Sequence, residues 1–477
     1  MTEKVDTTGG ADGGATDDRR PRVALLCARF TFFDPHMLPG FVERVRGIGD
    51  RCADALREHV DLVYAGVVET EEDAARARDL LAGERLDAVV YAPTMAVPAP
   101  LVLTALEGTA APLVVWNPIP VLRMADDLSQ AEATENSTTV ACLMLVNVLL
   151  RQGRSVEVHT APIDDPQAVA GLLRVVRGAA AAGALRGGTL LRIGEPMPTY
   201  LNVASTADDL ARLGLREVSV GRDELDAAFA DVDDEQAAAV VSEVRAAGWR
   251  GDGGPGALRS GRLAAAVRAL VDRHGAVGGT VNCHGPLLRF SDAVGIPACL
   301  AVAREATRGV NLSCTGDQPA GVALLLARRM AGAALYHEAY APEPATGLML
   351  LAAGGEGDPA WADGPVALEA NDHYPGDHGE GTSIAFALRR GPATMVSMSP
   401  IADVWHLAWA TGEIVESRYR NMRGPNGMFR FDSSDAVRAA DRWIASGATH
   451  HNALAPGRLD VELEVAARVL GVHSVRV

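Results

Sequence analysis

The strongest constraint in this chain is the regular alternation of short apolar runs with amphipathic segments between Arg22 and Trp116. Val23-Ala24-Leu25-Leu26-Cys27 is apolar at consecutive positions, as a strand must be when both sheet faces are covered. The pattern predicts a helix from Val45 to His59, a strand from Val60 to Val67, a helix from Thr70 to Gly83 and a strand from Ala88 to Ala92. A helix near Pro98 to Leu106 and a strand from Pro112 to Trp116 continue it, ending in the loop Asn117-Pro118-Ile119-Pro120. Strands that alternate with helices make a parallel sheet flanked by helices. Ligands of such sheets gather at the carboxyl ends of the strands, which makes Arg29, Asn117 and Asn136 lining candidates.

Four segments are expected. Residues 1–20, rich in Gly, Asp and Thr with almost no apolar content, read as a disordered leader. Residues 21–155 form a first α/β unit, and residues 156–335 a second, with strands from Leu190 to Ile193, Val218 to Val220 and Thr280 to Cys283. Residues 336–477 switch to shorter strands between Gly/Pro turns, including Gly381 to Ala387 and Ala393 to Met398, and read as β-rich.

Composition removes several chemistries. Lys4, inside the leader, is the only lysine of 477 residues, so no core amine can form a Schiff base. That excludes pyridoxal phosphate chemistry and a Walker-type phosphate site. No Gly-x-Gly-x-x-Gly follows the first strand, so NAD binding is unsupported. With 61 acidic against 44 basic residues the net charge is −17, and no basic stripe offers a nucleic-acid footprint. The 6 cysteines are widely spaced in apolar contexts, which suits a reducing compartment, and no apolar run reaches spanning length, so a cytoplasmic protein without a membrane partner is expected.

The polar chemistry concentrates between Val281 and His451. Asn282-Cys283-His284-Gly285 and Gly295-Ile296-Pro297-Ala298-Cys299 read as loops fed by strand ends. Ser313-Cys314-Thr315-Gly316-Asp317 opens a long apolar helix, placing Asp317 near its N-terminus as a cap or as a ligand. Leu348 to Asp358 reads as a buried strand breaking into a glycine-rich loop that a ligand could approach closely. Thr449-His450-His451 precedes the last helix; its imidazoles could bind metal, carry protons or be ordinary surface. Asn371 to Gly381 holds Asp372, His373, Asp377 and His378, either a solvated polar loop or a relocated site. Trp405, near His406 and Trp409, is either core or an aromatic wall for a sugar-like ligand. Cys283, Cys299 and Cys314 fit no compact zinc knuckle and read as buried thiols at strand ends.

In order and spacing these blocks, together with Thr134 to Thr138 and Leu191 to Pro198, resemble the L-fucose and L-arabinose isomerase superfamily. The resemblance implies two Rossmann-like α/β/α domains, a β-rich C-terminal domain, and a homo-oligomer (trimer, tetramer or hexamer) with active sites at subunit junctions. It also implies a divalent metal, usually Mn2+, and aldose–ketose interconversion through an enediol, in which metal and carboxylates polarise oxygens and move protons. Carried over residue by residue, the second acidic position falls near Glu338 and a histidine ligand on His451, but the first glutamate falls on Thr315 and another histidine on Ala353. A substrate-facing histidine is also missing after Asn136.

The resulting expectation is an intramolecular isomerase acting on a small polar polyhydroxy carbonyl compound. Glu338, Asp317 and His451 would be catalytic, Glu338 and His451 tentative metal ligands, and Asn136, His284, Thr315, His378, His450 and Trp405 substrate-binding. Two competing expectations are a diverged metal-independent enzyme on the same scaffold and a non-catalytic sugar-binding protein.

Overall fold

The computed structural model describes residues 20–285, 287–372, 380–416, 419 and 421–477. The first sheet is β1 (Arg22–Ala28), β2 (Asp61–Val68), β3 (Ala88–Pro93), β4 (Leu113–Ile119) and β5 (Glu157–Pro162). They run in the order β2-β1-β3-β4-β5, all parallel. The expected continuous apolar runs are buried on both faces, as β1 and β3 show. The helix Glu71–Gly83 starts where the sequence sets it: Thr70 and Asp73 satisfy each other's backbone N–H groups in a capping box. The boundary set at residue 155 cuts off the fifth strand of this sheet, because β5 pairs with β4 from Val114–Glu157 to Ile119–Pro162.

The second sheet is β6 (Thr189–Ile193), β7 (Arg216–Val220), β8 (Gly278–Val281) and β9 (Leu312–Ser313), again all parallel, in the order β7-β6-β8-β9. The helix Pro166–Gly183 leads into it while packing its apolar face on the first sheet.

The third unit consists of β10 (Leu335–Glu343), β11 (Leu348–Ala352), β12 (Ala367–Ala370), β13 (Thr382–Ala385), β14 (Gly391–Ile401), β15 (Val404–Glu416), β16 (Asn426–Phe431), β17 (His451–Pro456) and β18 (His473–Arg476). The order β14-β17-β10-β11-β16-β15 closes through β14–β15 pairing into an antiparallel barrel, with β18 added parallel to β15. Closure removes the free edges of those six strands. β12 and β13 form a separate pair.

The C-terminal unit is packed against both of the others. The helix Asp460–Leu470 leaves the barrel and lies along the helix Pro166–Gly183, where a Cβ on Gly178 would stand 2.4 Å from the Glu462 carbonyl oxygen. Arg174 and Arg177 neutralise the buried Glu462, and Arg468 forks onto Glu157 of β5. Among the described residues no helix is long and apolar enough to cross a membrane.

Candidate functional site

Barrel register brings the first two site residues together. Glu338 on β10 and His451 on β17 are directly opposed in an antiparallel pair, so their side chains share one face. His451 Nε2 lies 3.4 Å from Glu338 Oε1. The third residue comes from the second unit, four residues beyond β9. Asp317 caps the helix Gln318–Ala331, which packs on β17; its Oδ1 accepts the Ala320 N–H at 2.8 Å, and its Oδ2 is 2.8 Å from His451 Nδ1. Asp317 therefore caps the helix and also holds the imidazole.

This carboxylate–imidazole–carboxylate chain runs from the interior to a cleft. Asp317 and His451 are buried, whereas the Glu338 side chain is 37 % exposed. Burial alone would lower the His451 pKa, but the hydrogen bonds to Asp317 and then Glu338 overcome it and raise it to about 9. Burial lifts the Asp317 carboxyl above its ordinary value, and His451 pulls it back. The pair thus holds one proton between Nδ1 and Oδ2 across neutral pH.

The cleft contains about 160 Å3 of free space and is lined by Tyr200, Cys283, His284, Arg289, Cys299, Cys314, Thr315, Tyr336, Glu338, Tyr340, Glu356, Asn371 and His451, among others. The Tyr336 ring packs 4.9 Å from that of His451. Glu356, also in the lining, is buried; burial, then the charge of Cys283, pushes its carboxyl up to about 7. Its Oε1 accepts the Gly354 N–H at 3.3 Å, and Cys299 Sγ lies 3.9 Å from Oε2. Cys283 Sγ lies 3.9 Å from Cys314 Sγ, and the hydrogen bond from Cys314 lowers the Cys283 thiol to about 6. A wider hollow of about 550 Å3 opens beside the helix Pro166–Gly183, but its charged pair Arg51–Asp164 is already satisfied and no catalytic set converges there.

Of the residues singled out in the sequence, Glu338, His451, Thr315 and His284 line the cleft, and Asp317 lies directly behind it. His450 is at the rim, exposed, with its ring 5.1 Å from Tyr200 and its Nδ1 3.0 Å from Asn202 Nδ2. Burial, then neighbouring His451, lowers its pKa to about 4.

Two expected substrate contacts are corrected. Trp405 is 2 % exposed in the core, where its indole N–H donates to the Asp209 carbonyl at 2.7 Å. Asn136 terminates a short helix of the first unit and donates to the Glu132 carbonyl, away from the cleft. Arg29, at the end of β1, is consumed by Asp34 and Glu69. His378 lies outside the described residues. The loop carrying Glu356 was legible as a ligand approach, but its carboxylate, Tyr200 and the meeting of the cysteines were not. Cys283 follows β8 and Cys314 follows β9, and adjacency of those strands is the signal that joins them.

The manganese set implied by the resemblance does not fit. Thr315 donates its hydroxyl to the Cys314 carbonyl, Ala353 is a buried methyl, and His451 Nδ1 is engaged by Asp317. His451 and Glu338 approach each other, but Glu356 does not join them to make a trio of donors mutually within 4.8 Å; among the described residues the trio that does so is Cys283, His284 and Cys314. Hard cations require several oxygen ligands, which this arrangement lacks.

No curated protein sequence matches the chain. Among solved structures, an ABC transporter solute-binding protein from Burkholderia multivorans aligns at 17% identity over 55% of this chain and 80% of its own, with a TM-score of 0.16. Residues 334–473, the barrel that carries Glu338 and His451, match the family described as the L-arabinose isomerase C-terminal domain, so the likeness to a sugar isomerase resides in the C-terminal part of the chain.

Proposed function

We propose that the cleft catalyses intramolecular proton transfer on a small polyhydroxylated carbonyl compound, an isomerisation of the aldose–ketose type. The observation that carries this reading is the Asp317–His451–Glu338 chain, which ends in a solvent-accessible carboxylate inside a polar cleft. Glu338 removes the proton from the carbon beside the carbonyl, giving an enediol, and returns it to the neighbouring carbon. His451, held as an imidazolium, supplies and recovers the proton that moves between the two oxygens, and Asp317 fixes its orientation and holds its Nδ1 proton. General acid–base transfer of this kind contributes about 10²–10⁴ in rate. The likeness of residues 334–473 to an L-arabinose isomerase domain supports the same class.

The test is incubation with a panel of pentoses, hexoses and deoxyhexoses in D2O, followed by NMR for deuterium at the carbon next to the carbonyl. Incorporation with the wild type that disappears in Glu338→Gln is expected. Incorporation unchanged in both Glu338→Gln and His451→Asn removes the proposal, and binding without any exchange makes the protein a sugar-binding module.

A further inference from the structure

We infer that Cys283, His284 and Cys314 form a zinc site whose remaining coordination position faces the cleft. Their donor atoms lie within 4.8 Å of one another, and the two sulfurs are 3.9 Å apart. A tetrahedral zinc with Zn–S bonds of about 2.3 Å sets its sulfurs roughly 3.8 Å apart, so the observed separation needs almost no movement to accept the ion.

The loops that carry the ligands are held by a common support. Cys283 follows β8 and Cys314 follows the adjacent parallel strand β9, so both sit at carboxyl ends. Asn282 donates from Nδ2 to the Glu195 carbonyl at 2.6 Å, and its Oδ1 accepts the His284 N–H at 3.1 Å. From the other side, the Met197 N–H donates to the Thr315 carbonyl at 3.1 Å. Thr315 adopts φ 56°, a left-handed conformation that is strained for a β-branched residue, and so turns the chain directly after Cys314. Gly316 follows at φ 74°, where a Cβ would stand 2.6 Å from Pro196 Cα. One segment, Glu195 to Met197, thus fixes the spacing of both thiol loops.

Donor chemistry selects the ion. Two thiolates and an imidazole favour zinc over manganese or magnesium. Three protein ligands leave a fourth position for water or a substrate oxygen, the pattern of catalytic rather than structural zinc. That position opens on the same cleft as Glu338. The site stands apart from the proton-transfer reading, because Glu338 and His451 are not among its ligands.

The experiment is cobalt titration of the reduced, chelator-stripped full chain under argon. One equivalent of Co2+ per chain should give tetrahedral visible bands and a near-ultraviolet thiolate-to-cobalt charge-transfer band, both abolished by added Zn2+. Cys283→Ser and Cys314→Ser should each roughly halve the charge-transfer band and weaken binding at least tenfold. His284→Gln, at an exposed position that does not threaten folding, should weaken binding at least tenfold with the charge-transfer band retained at saturation. Glu338→Gln should keep the full band even though it stops deuterium exchange, so failure of one proposal is separable from failure of the other. Absence of charge transfer in the wild type, or an unchanged band in both cysteine variants, overturns the inference.

Discussion

Asp317 Oδ2 and His451 Nδ1 meet at 2.8 Å with both side chains buried, joining the N-terminus of a helix in the second unit to the first residue of a barrel strand. One proton held at this junction governs both the imidazole's charge and the fit of the two units.

The His451 pKa of about 9 lies above its ordinary 6.5, so its contribution to stability is complete below pH 6.5 and is lost as pH rises through 9. Asp317→Asn retains an acceptor for the helix cap but removes the charge. We expect a loss of about 3 kcal/mol at pH 6, with the gap from wild type narrowing at pH 9.5. Urea midpoints at the two pH values measure it; a gap that does not change with pH would contradict the assignment.

Glu356 behaves oppositely. Its carboxyl is raised from 4.5 to about 7, so between these values the unfolded chain ionises first and stability falls with rising pH, then levels above 7. Glu356→Gln removes that penalty. In metal-free protein it should melt close to wild type at pH 4.5 and be more stable at pH 8, by on the order of 1–3 kcal/mol. Equal effects at both pH values would show that the carboxyl titrates normally.

Cys283, lowered to about 6 by the Cys314 thiol and then by nearby positive groups, should be the fastest thiol to alkylate in metal-free protein. Its iodoacetamide rate should be half-maximal near pH 6, and Cys314→Ala should move that midpoint upward. Cys27 and Cys52, buried in the first unit with thiols pushed up by desolvation, should remain unlabelled. Peptide mass spectrometry after timed quenching reads all of these at once.

Gly316→Ala places a methyl against Pro196 and demands a left-handed alanine. A destabilisation of at least about 1 kcal/mol is expected, accompanied by weaker cobalt binding because the turn after Cys314 shifts. Unchanged melting and unchanged binding would show that the Glu195 to Met197 support does not set the thiol spacing.

Much of the fold was legible because local physics was left undisturbed. Continuous apolar runs gave β1 and β3, the helix expected from Thr70 to Gly83 begins within one residue of that start, and Asp317 was read correctly as lying at a helix N-terminus. Misreadings arose where the answer depends on partners distant in the chain. β5 has an exposed, partly polar face and declares its sheet only by pairing with β4. Trp405 looks like a ligand wall until Asp209, from the second unit, accepts its N–H. Glu338 and His451 were found through resemblance, but their opposition is a fact of barrel register, and the Cys283–Cys314 approach is a fact of strand order.

The lodging of the helix Asp460–Leu470 against the helix Pro166–Gly183 limits how the C-terminal unit can be exchanged. A glycine with no room for a methyl and an acid neutralised by two arginines of another unit are matched parts. A recombinant that exchanged the barrel for a relative's, leaving the first two units in place, would carry a mismatched key into this lock. A side chain larger than hydrogen at 178, or loss of the acid at 462, would therefore have to be answered by a change on the opposite helix for the two to stay seated.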